Sequence, residues 1–199
     1  MALHMDFATT LVPKVSRAQF IASLRPGDAV YCWGTEEISK IIEDLAGGPS
    51  HVLTVWRTLW PASTWLTVEA TFPDLQHMSK SGVHVGLLAD YLNAYPGNLV
   101  LTRRPAVTSM QIAQELETGL YLLDDNYNWQ TEVSVALRKL IPFLPLIQEK
   151  HELYCSGLRE VMCANTVPYQ KCGPYPNTPE QCYTDPTTNA VCVLMQGEK

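Results

Sequence analysis

A cysteine, a histidine and a glutamate stand at positions where they could form a nucleophilic site. Cys155 opens a predicted helix in the segment YCSGLREV, and the free amides and positive dipole of a helix N-terminus favour the thiolate. Ser156 and Gly157 follow it directly and leave room for a substrate carbonyl to approach the backbone N–H groups. This pattern favours attack on a carbonyl, although a buried cysteine that merely opens a helix has the same pattern.

The candidate base is His51, and the candidate partner of its ring is Glu69. His51 lies where the loop GGPS meets the strand HVLTVW, and a ring held rigidly at a sheet end suits a base. Glu69 lies on the next predicted strand between apolar neighbours, where a carboxylate can hold the imidazole in one tautomer. Two alternatives stay open: His51 caps the turn, or strand alternation places Glu69 on the solvent face with Thr67 and Thr71.

The other histidines and the first cysteine carry no comparable signal. His77, His84 and His151 lack metal-ligand spacing with another His or Cys, so we expect solvated or capping roles. Cys32 falls in a predicted buried strand and is interpreted as a packed thiol. The sequence therefore predicts neither a metal site nor a cofactor.

Helices and short strands, some of the strands consecutive, are expected to position these residues. Helical spacing and capping or breaking residues mark the helices, and runs rich in Val, Thr and Trp mark the strands. The predicted helices cover 16–24, 36–45, 88–93, 108–123, 133–140 and 155–164, and the predicted strands are AVYCW, HVLTVW, WLTVEATF, GVHVGLL and NLVLTRR.

Length and composition indicate one globular domain over residues 1–199, with a Cys- and Pro-rich tail from about residue 163 to 199. The chain has 199 residues, of which 46% are hydrophobic and 17% charged. A net charge of -6 argues against nucleic acid as a partner, and no run of about 20 apolar residues predicts a transmembrane segment. The compartment stays open between cytoplasmic and exported, and so does the oligomeric state.

The tail is rich in Pro, Thr, Asn and Cys and is expected to be a loop on the surface. It holds four of the six cysteines, too widely spaced for a zinc site. They form two disulfides if the protein is exported, or they are reduced and partly buried. The sequence leaves both readings open for Cys163, Cys172, Cys182 and Cys192.

Four segments, GDAVY, PSHVLTV, VEAT and YCSGL, occur in an order that resembles circularly permuted NlpC/P60 proteins of the YiiX and YaeF type. The resemblance runs from about Leu24 to Met162. One departure is Gly157, since the form CSGL is typical of unpermuted members. The matching positions are Gly27, Asp28, Ser50, His51, Val52, Glu69, Ala70, Tyr154, Cys155 and Ser156.

This resemblance implies an α+β papain-like fold in which an antiparallel, partly barrelled sheet packs against the nucleophile helix. It implies a cysteine hydrolase that cleaves a peptide amide or an acyl ester or thioester bond, with Cys155 as nucleophile, His51 as base and Glu69 orienting the base. The alternative is a catalytically silent module that binds a lipid or peptide. The apolar run IPFLPLI, just before the nucleophile helix, has no counterpart in this family. Either it packs in the core, or its residues Phe143 and Leu144 line a groove for a lipid-linked substrate. Supporting roles fall to Tyr154, Ser156, Gly157, Ser50 and Asp28.

Overall fold

A computed structural model shows an α+β chain built around one antiparallel sheet. No helix among the residues that it describes is long and apolar enough to cross a membrane. The structure describes residues 12–34, 39–40, 43–44, 48–59, 64–71, 82–95, 97–127, 152–164, 166, 179–183 and 187–196.

Two of the helices begin at capping residues. Ser16 and Thr108 each accept a hydrogen bond from the backbone N–H three residues on, and Gln19 and Gln111 return the bond to complete capping boxes. The helices are α1 (Arg17–Ser23), α2 (Leu88–Ala94), α3 (Ser109–Tyr121), α4 (Cys155–Cys163) and α5 (Pro179–Tyr183).

Six strands form the main sheet, which is open rather than closed into a barrel. Its order is β4-β3-β2-β1-β5-β8, and β6 pairs with β7 in a separate two-stranded sheet. The strands are β1 (Ala29–Trp33), β2 (His51–Leu59), β3 (Thr64–Thr71), β4 (Gly82–Leu87), β5 (Asn98–Arg103), β6 (Asn126–Tyr127), β7 (Glu152–Leu153) and β8 (Asn189–Leu194).

Helices cover both faces of the sheet, so alternate residues of each strand enter different apolar clusters. On one face, α1 and α2 pack against Val30 and Cys32 of β1. On the other face, α5 and the first residue of α4 join Tyr31 and Trp33 of β1. Further along this second face, α3 and the rest of α4 pack against β3 and β4.

The tail differs from its prediction as a surface loop. Residues Asn189–Leu194 form β8, an edge strand of the main sheet that pairs with β5. Cys192 and Val193 are buried in this strand. The tail therefore contributes to the core, and the apolar run VCVL supplies the side chains that make this possible.

Some predicted elements lie partly or wholly outside the described residues. Ser39, Lys40, Glu43 and Asp44 are helical within the predicted helix 36–45, and the predicted helix 133–140 lies outside altogether.

The five described cysteines are buried, and no disulfide joins any two of them. Pairing that involves Cys172 lies outside the described residues.

Candidate active site

Glu69 is the most deeply buried of the three candidate residues. It lies in β3 with no exposed surface, so the alternative of a solvent-facing carboxylate is wrong. Thr67 Oγ1 donates to its Oε1 at 3.0 Å. The opposite oxygen, Oε2, faces β2 and α2, where two further polar side chains meet it.

His51, the first residue of β2, is one of these two partners. Its Nε2 lies 3.2 Å from Oε2 of Glu69, and the histidine is 4% exposed. Both of its ring hydrogen bonds within the described residues use Nε2. The structure therefore brings together the base and the acid that the sequence predicts, and it leaves Nδ1 of His51 for another partner.

Tyr91 of α2 is the second partner, and sequence reasoning missed it. Its hydroxyl donates to Oε2 of Glu69 and lies 3.2 Å from Nε2 of His51. Its ring stacks on the His51 ring with centroids 5.9 Å apart and planes 7° from parallel. The candidate site thus holds a buried histidine, carboxylate and phenol in mutual contact.

The charge on Glu69 is stabilised by these neighbours. Burial alone would raise the pKa of Glu69, but the hydrogen bond and charge of His51, the Tyr91 hydroxyl and the charge of His84 lower it below its ordinary value. Burial, followed by the negative charge of Glu69, raises the pKa of Tyr91 well above its ordinary value. Glu69 is therefore ionised and Tyr91 neutral at physiological pH.

His84 and Gly86 of β4 form the other wall around Glu69. His84 is buried, so the solvated role predicted for it is wrong, and its Nδ1 lies 3.1 Å from the Gly82 carbonyl oxygen. It is the direct cross-strand neighbour of Glu69, and its Nε2 lies 4.0 Å from Oε1. A Cβ on Gly86 would lie 2.0 Å from Oε1 of Glu69, so only glycine leaves space for the carboxylate here.

Cys155 is the first residue of α4, as predicted. The N-cap residue, Tyr154, makes no side-chain capping bond, so no N-cap side chain occupies the first-turn amides. Ser156 Oγ is buried and has no hydrogen-bond partner in the described part of the structure. A Cβ on Gly157 would lie 3.0 Å from the ring of Tyr154, so any other residue at this position would require that ring to shift.

A buried arginine fixes this helix against the sheet. Arg159, one turn after Cys155, donates from Nη1 to Thr54 Oγ1 at 3.1 Å and from Nη2 to the Gly27 carbonyl at 3.2 Å. Leu158 and Met162 add apolar contacts on the same face. The position of Cys155 along the sheet is therefore set by a polar anchor as well as by packing.

Cys155 and His51 lie on opposite faces of the sheet. Cys155 belongs to the apolar cluster that contains Tyr31, Trp33 and Val52. His51 pairs in register with Cys32, whose side chain belongs to the cluster on the opposite face. The structure brings His51 and Glu69 into contact, and contact between Cys155 and this pair stays a prediction.

Cys32 is the thiol on the face of the sheet that His51 occupies. It has no exposed surface, and burial together with the charge of Glu69 raises its pKa well above the ordinary value. A thiol in this state is a poor nucleophile. Cys32 therefore fits its predicted role as a packed residue and provides a matched control for Cys155.

Ser50 and Asp28, two further predicted residues, make structural hydrogen bonds. Ser50 Oγ donates to the Cys32 carbonyl at 3.2 Å and joins the ends of β1 and β2. Asp28 accepts two hydrogen bonds of 2.7 Å from the Arg103 guanidinium, which partly offset the rise in its pKa from burial. Phe143 and Leu144 lie outside the described residues.

The fold resembles that of a solved structure. The crystal structure of the metalloprotein yiiX from Escherichia coli O157:H7 has a TM-score of 0.50 and 15% sequence identity, over 84% of this chain and 96% of that chain. No protein-family model matches the sequence, and no curated protein matches it. At this identity the similarity shows the fold alone, and it agrees with the YiiX-type resemblance of the sequence motifs.

Proposed function

We propose that this chain is a papain-like cysteine hydrolase in circularly permuted order. The observation that carries the proposal is the buried contact between His51 and Glu69, 3.2 Å apart. A histidine whose ring is oriented by a carboxylate is the arrangement that activates a nucleophilic thiol. The fold shared with yiiX and Cys155 at a helix N-terminus support the same reading.

In the proposed reaction the Cys155 thiolate attacks the carbonyl carbon of an amide, ester or thioester. His51 takes the thiol proton at Nδ1 and returns it to the leaving amine, alcohol or thiol. The first-turn amides of α4 stabilise the oxyanion, and water then resolves the acyl-enzyme by the reverse sequence of proton transfers. Glu69 accepts a hydrogen bond from the His51 ring and stabilises its imidazolium form throughout the reaction.

This reaction requires the thiol to meet Nδ1 of His51 at the strand end where β1 finishes and β2 begins. Cys155 shares a cluster with Trp33 and Val52, the residues adjacent to Cys32 and His51 in the two strands. The reaction therefore requires the first turn of α4 to move around this strand end, from the face that holds Cys155 to the face that holds His51. Substrate binding is the step that we expect to produce this movement.

A second candidate is a papain-like module that binds a lipid or peptide without turnover. The specific observation in its favour is that Cys155 is 1% exposed within an apolar cluster on the face opposite His51. A packed thiol of this kind would be inert. The two candidate functions therefore differ in whether the Cys155 thiol is reactive.

Thiol labelling separates these candidates. We expect iodoacetamide at neutral pH to alkylate Cys155 at least about ten-fold faster than Cys32, since only an activated thiol reacts well in this range. Peptide mapping by mass spectrometry measures all six cysteines in one sample. Labelling of Cys155 no faster than Cys32 would favour the binding module.

The yiiX protein is described as a metalloprotein. Within the described ranges, no group of three or more His, Cys, Asp or Glu side chains is arranged to hold a metal ion. Glu69 is instead occupied by Thr67, His51 and Tyr91.

A further inference from the structure

We propose that Tyr91 is a positioning residue that fixes the tautomer of His51, with the proton on Nε2 and a free lone pair on Nδ1. The inference rests on the proposed function, because it deepens the roles of His51 and Glu69 in the same site. Three contacts carry it: two of them end on Oε2 of Glu69, and the third joins the Tyr91 hydroxyl to Nε2 of His51.

The three polar atoms form a closed triangle. Nε2 of His51 lies 3.2 Å from Oε2 of Glu69 and 3.2 Å from the Tyr91 hydroxyl, and that hydroxyl contacts Oε2 directly. The other carboxylate oxygen, Oε1, is occupied by Thr67 and faces His84. Oε2 is therefore the oxygen that contacts His51 and Tyr91.

For a neutral imidazole, counting hydrogens in this triangle leaves one arrangement. A phenol carries one hydrogen, and Tyr91 gives it to the ionised carboxylate, which can only accept. The two oxygens then present lone pairs to Nε2 of His51. An unprotonated Nε2 would be repelled by both, so Nε2 carries the proton and shares it between Glu69 and Tyr91.

Two further features support this assignment. The pKa of Tyr91 is raised well above its ordinary value and that of Glu69 is lowered, so the phenol is the donor and the carboxylate the acceptor. The Tyr91 ring also lies parallel to the imidazole at 5.9 Å. Stacking of this kind opposes rotation of the His51 ring, which would exchange its two nitrogens.

The consequence for the proposed reaction is specific. A neutral imidazole protonated at Nδ1 has no base at that position, whereas the Nε2–H tautomer presents a lone pair there. Without the Tyr91 hydroxyl, Glu69 can still accept a hydrogen bond from Nε2 of His51. The donor that fixes the position of Oε2 is then lost. Tyr91 therefore acts through Glu69 and His51 rather than on the substrate.

Nitrogen NMR of the His51 ring tests the inference without reference to activity. In the wild-type protein we expect the Nε2–H tautomer, and in Tyr91→Phe we expect a measurable share of the Nδ1–H tautomer. Tyr121→Phe, at a residue 81% exposed on α3, is the matched control and should resemble wild type. A wild-type ring protonated at Nδ1, or identical tautomer populations in wild type and Tyr91→Phe, would overturn the proposal.

Kinetics give the second measurement. Tyr91→Phe is expected to lower kcat about ten-fold with KM unchanged, because positioning of the base affects the transition state and not substrate binding. A loss confined to KM would overturn the positioning role. If no hydrolysis is found in any variant, the proposed function fails, while the wild-type NMR result still decides the tautomer that Tyr91 fixes.

Discussion

Replacement of Cys155 by alanine is expected to lower hydrolysis of a thioester or peptide amide by about 10⁴-fold or more, because no acyl-enzyme can then form. The helix should survive, since alanine is the best helix former and the residue occupies its first position. Steady-state kcat/KM on a short acyl thioester measures the effect, and circular dichroism reports the fold.

Cys32→Ala is the matched control for this variant. Cys32 is equally buried and belongs to the cluster on the face that His51 occupies. We expect it to retain turnover, although removal of a buried sulfur costs some stability. If Cys32→Ala abolishes turnover and Cys155→Ala preserves it, the nucleophile is misassigned and Cys32 takes that role.

Replacement of Glu69 by glutamine is expected to reduce kcat by about 10² to 10³-fold. The amide is nearly isosteric and can still contact the His51 ring, but it lacks the charge that stabilises the imidazolium. It also cannot accept from Thr67, Tyr91 and His51 as a carboxylate does. The rate of acylation, followed by release of the thiol product, measures this loss.

The same variant has a signature in stability against pH. Because the folded-state pKa of Glu69 is lowered, its contribution is present above the unfolded pKa and is lost as pH falls through the folded value. Urea midpoints of wild type should therefore fall on acidification below about pH 4, and less so for Glu69→Gln. Glu117→Gln, on the exposed side of α3, is the control. Equal acid sensitivity of wild type and Glu69→Gln would remove the charged role of Glu69.

The contact between His51 and Glu69 could be anticipated from local patterns. Each residue begins or lies within a short strand whose pairing partner follows along the chain, and adjacent antiparallel strands bring such residues side by side. The burial of Glu69, left open by strand alternation, is decided by α2, which covers the face that contains it. That covering layer is a tertiary feature with no signal in the strand itself.

Tyr91 and His84 could not be predicted as neighbours of Glu69, because their contacts depend on tertiary packing and strand register. Tyr91 meets Glu69 across 22 positions of sequence, through the packing of α2 on β3. His84 faces Glu69 because of the register between β3 and β4, and a shift by one residue would turn it away. Neither residue carries a local pattern that distinguishes it from an ordinary surface residue.

The tail shows where composition misled the interpretation. Pro, Thr and Asn dominate the stretch before Asn189 and favour loops, and they obscured the short apolar run VCVL. That run pairs with β5 and completes one edge of the sheet. β-branched residues at alternate positions were the available signal, in Val191 and Val193.

The pH dependence of Cys155 alkylation, compared between wild type and His51→Ala, tests the central claim most directly. If His51 activates Cys155, the wild-type thiol reacts with iodoacetamide already near pH 6, and His51→Ala reacts only as an ordinary thiol ionises, near pH 8.5. Mass spectrometry of the Cys155 peptide gives both rate profiles. Superimposable profiles for wild type and His51→Ala would contradict the account, because Cys155 would then react independently of the buried His51 and Glu69 pair.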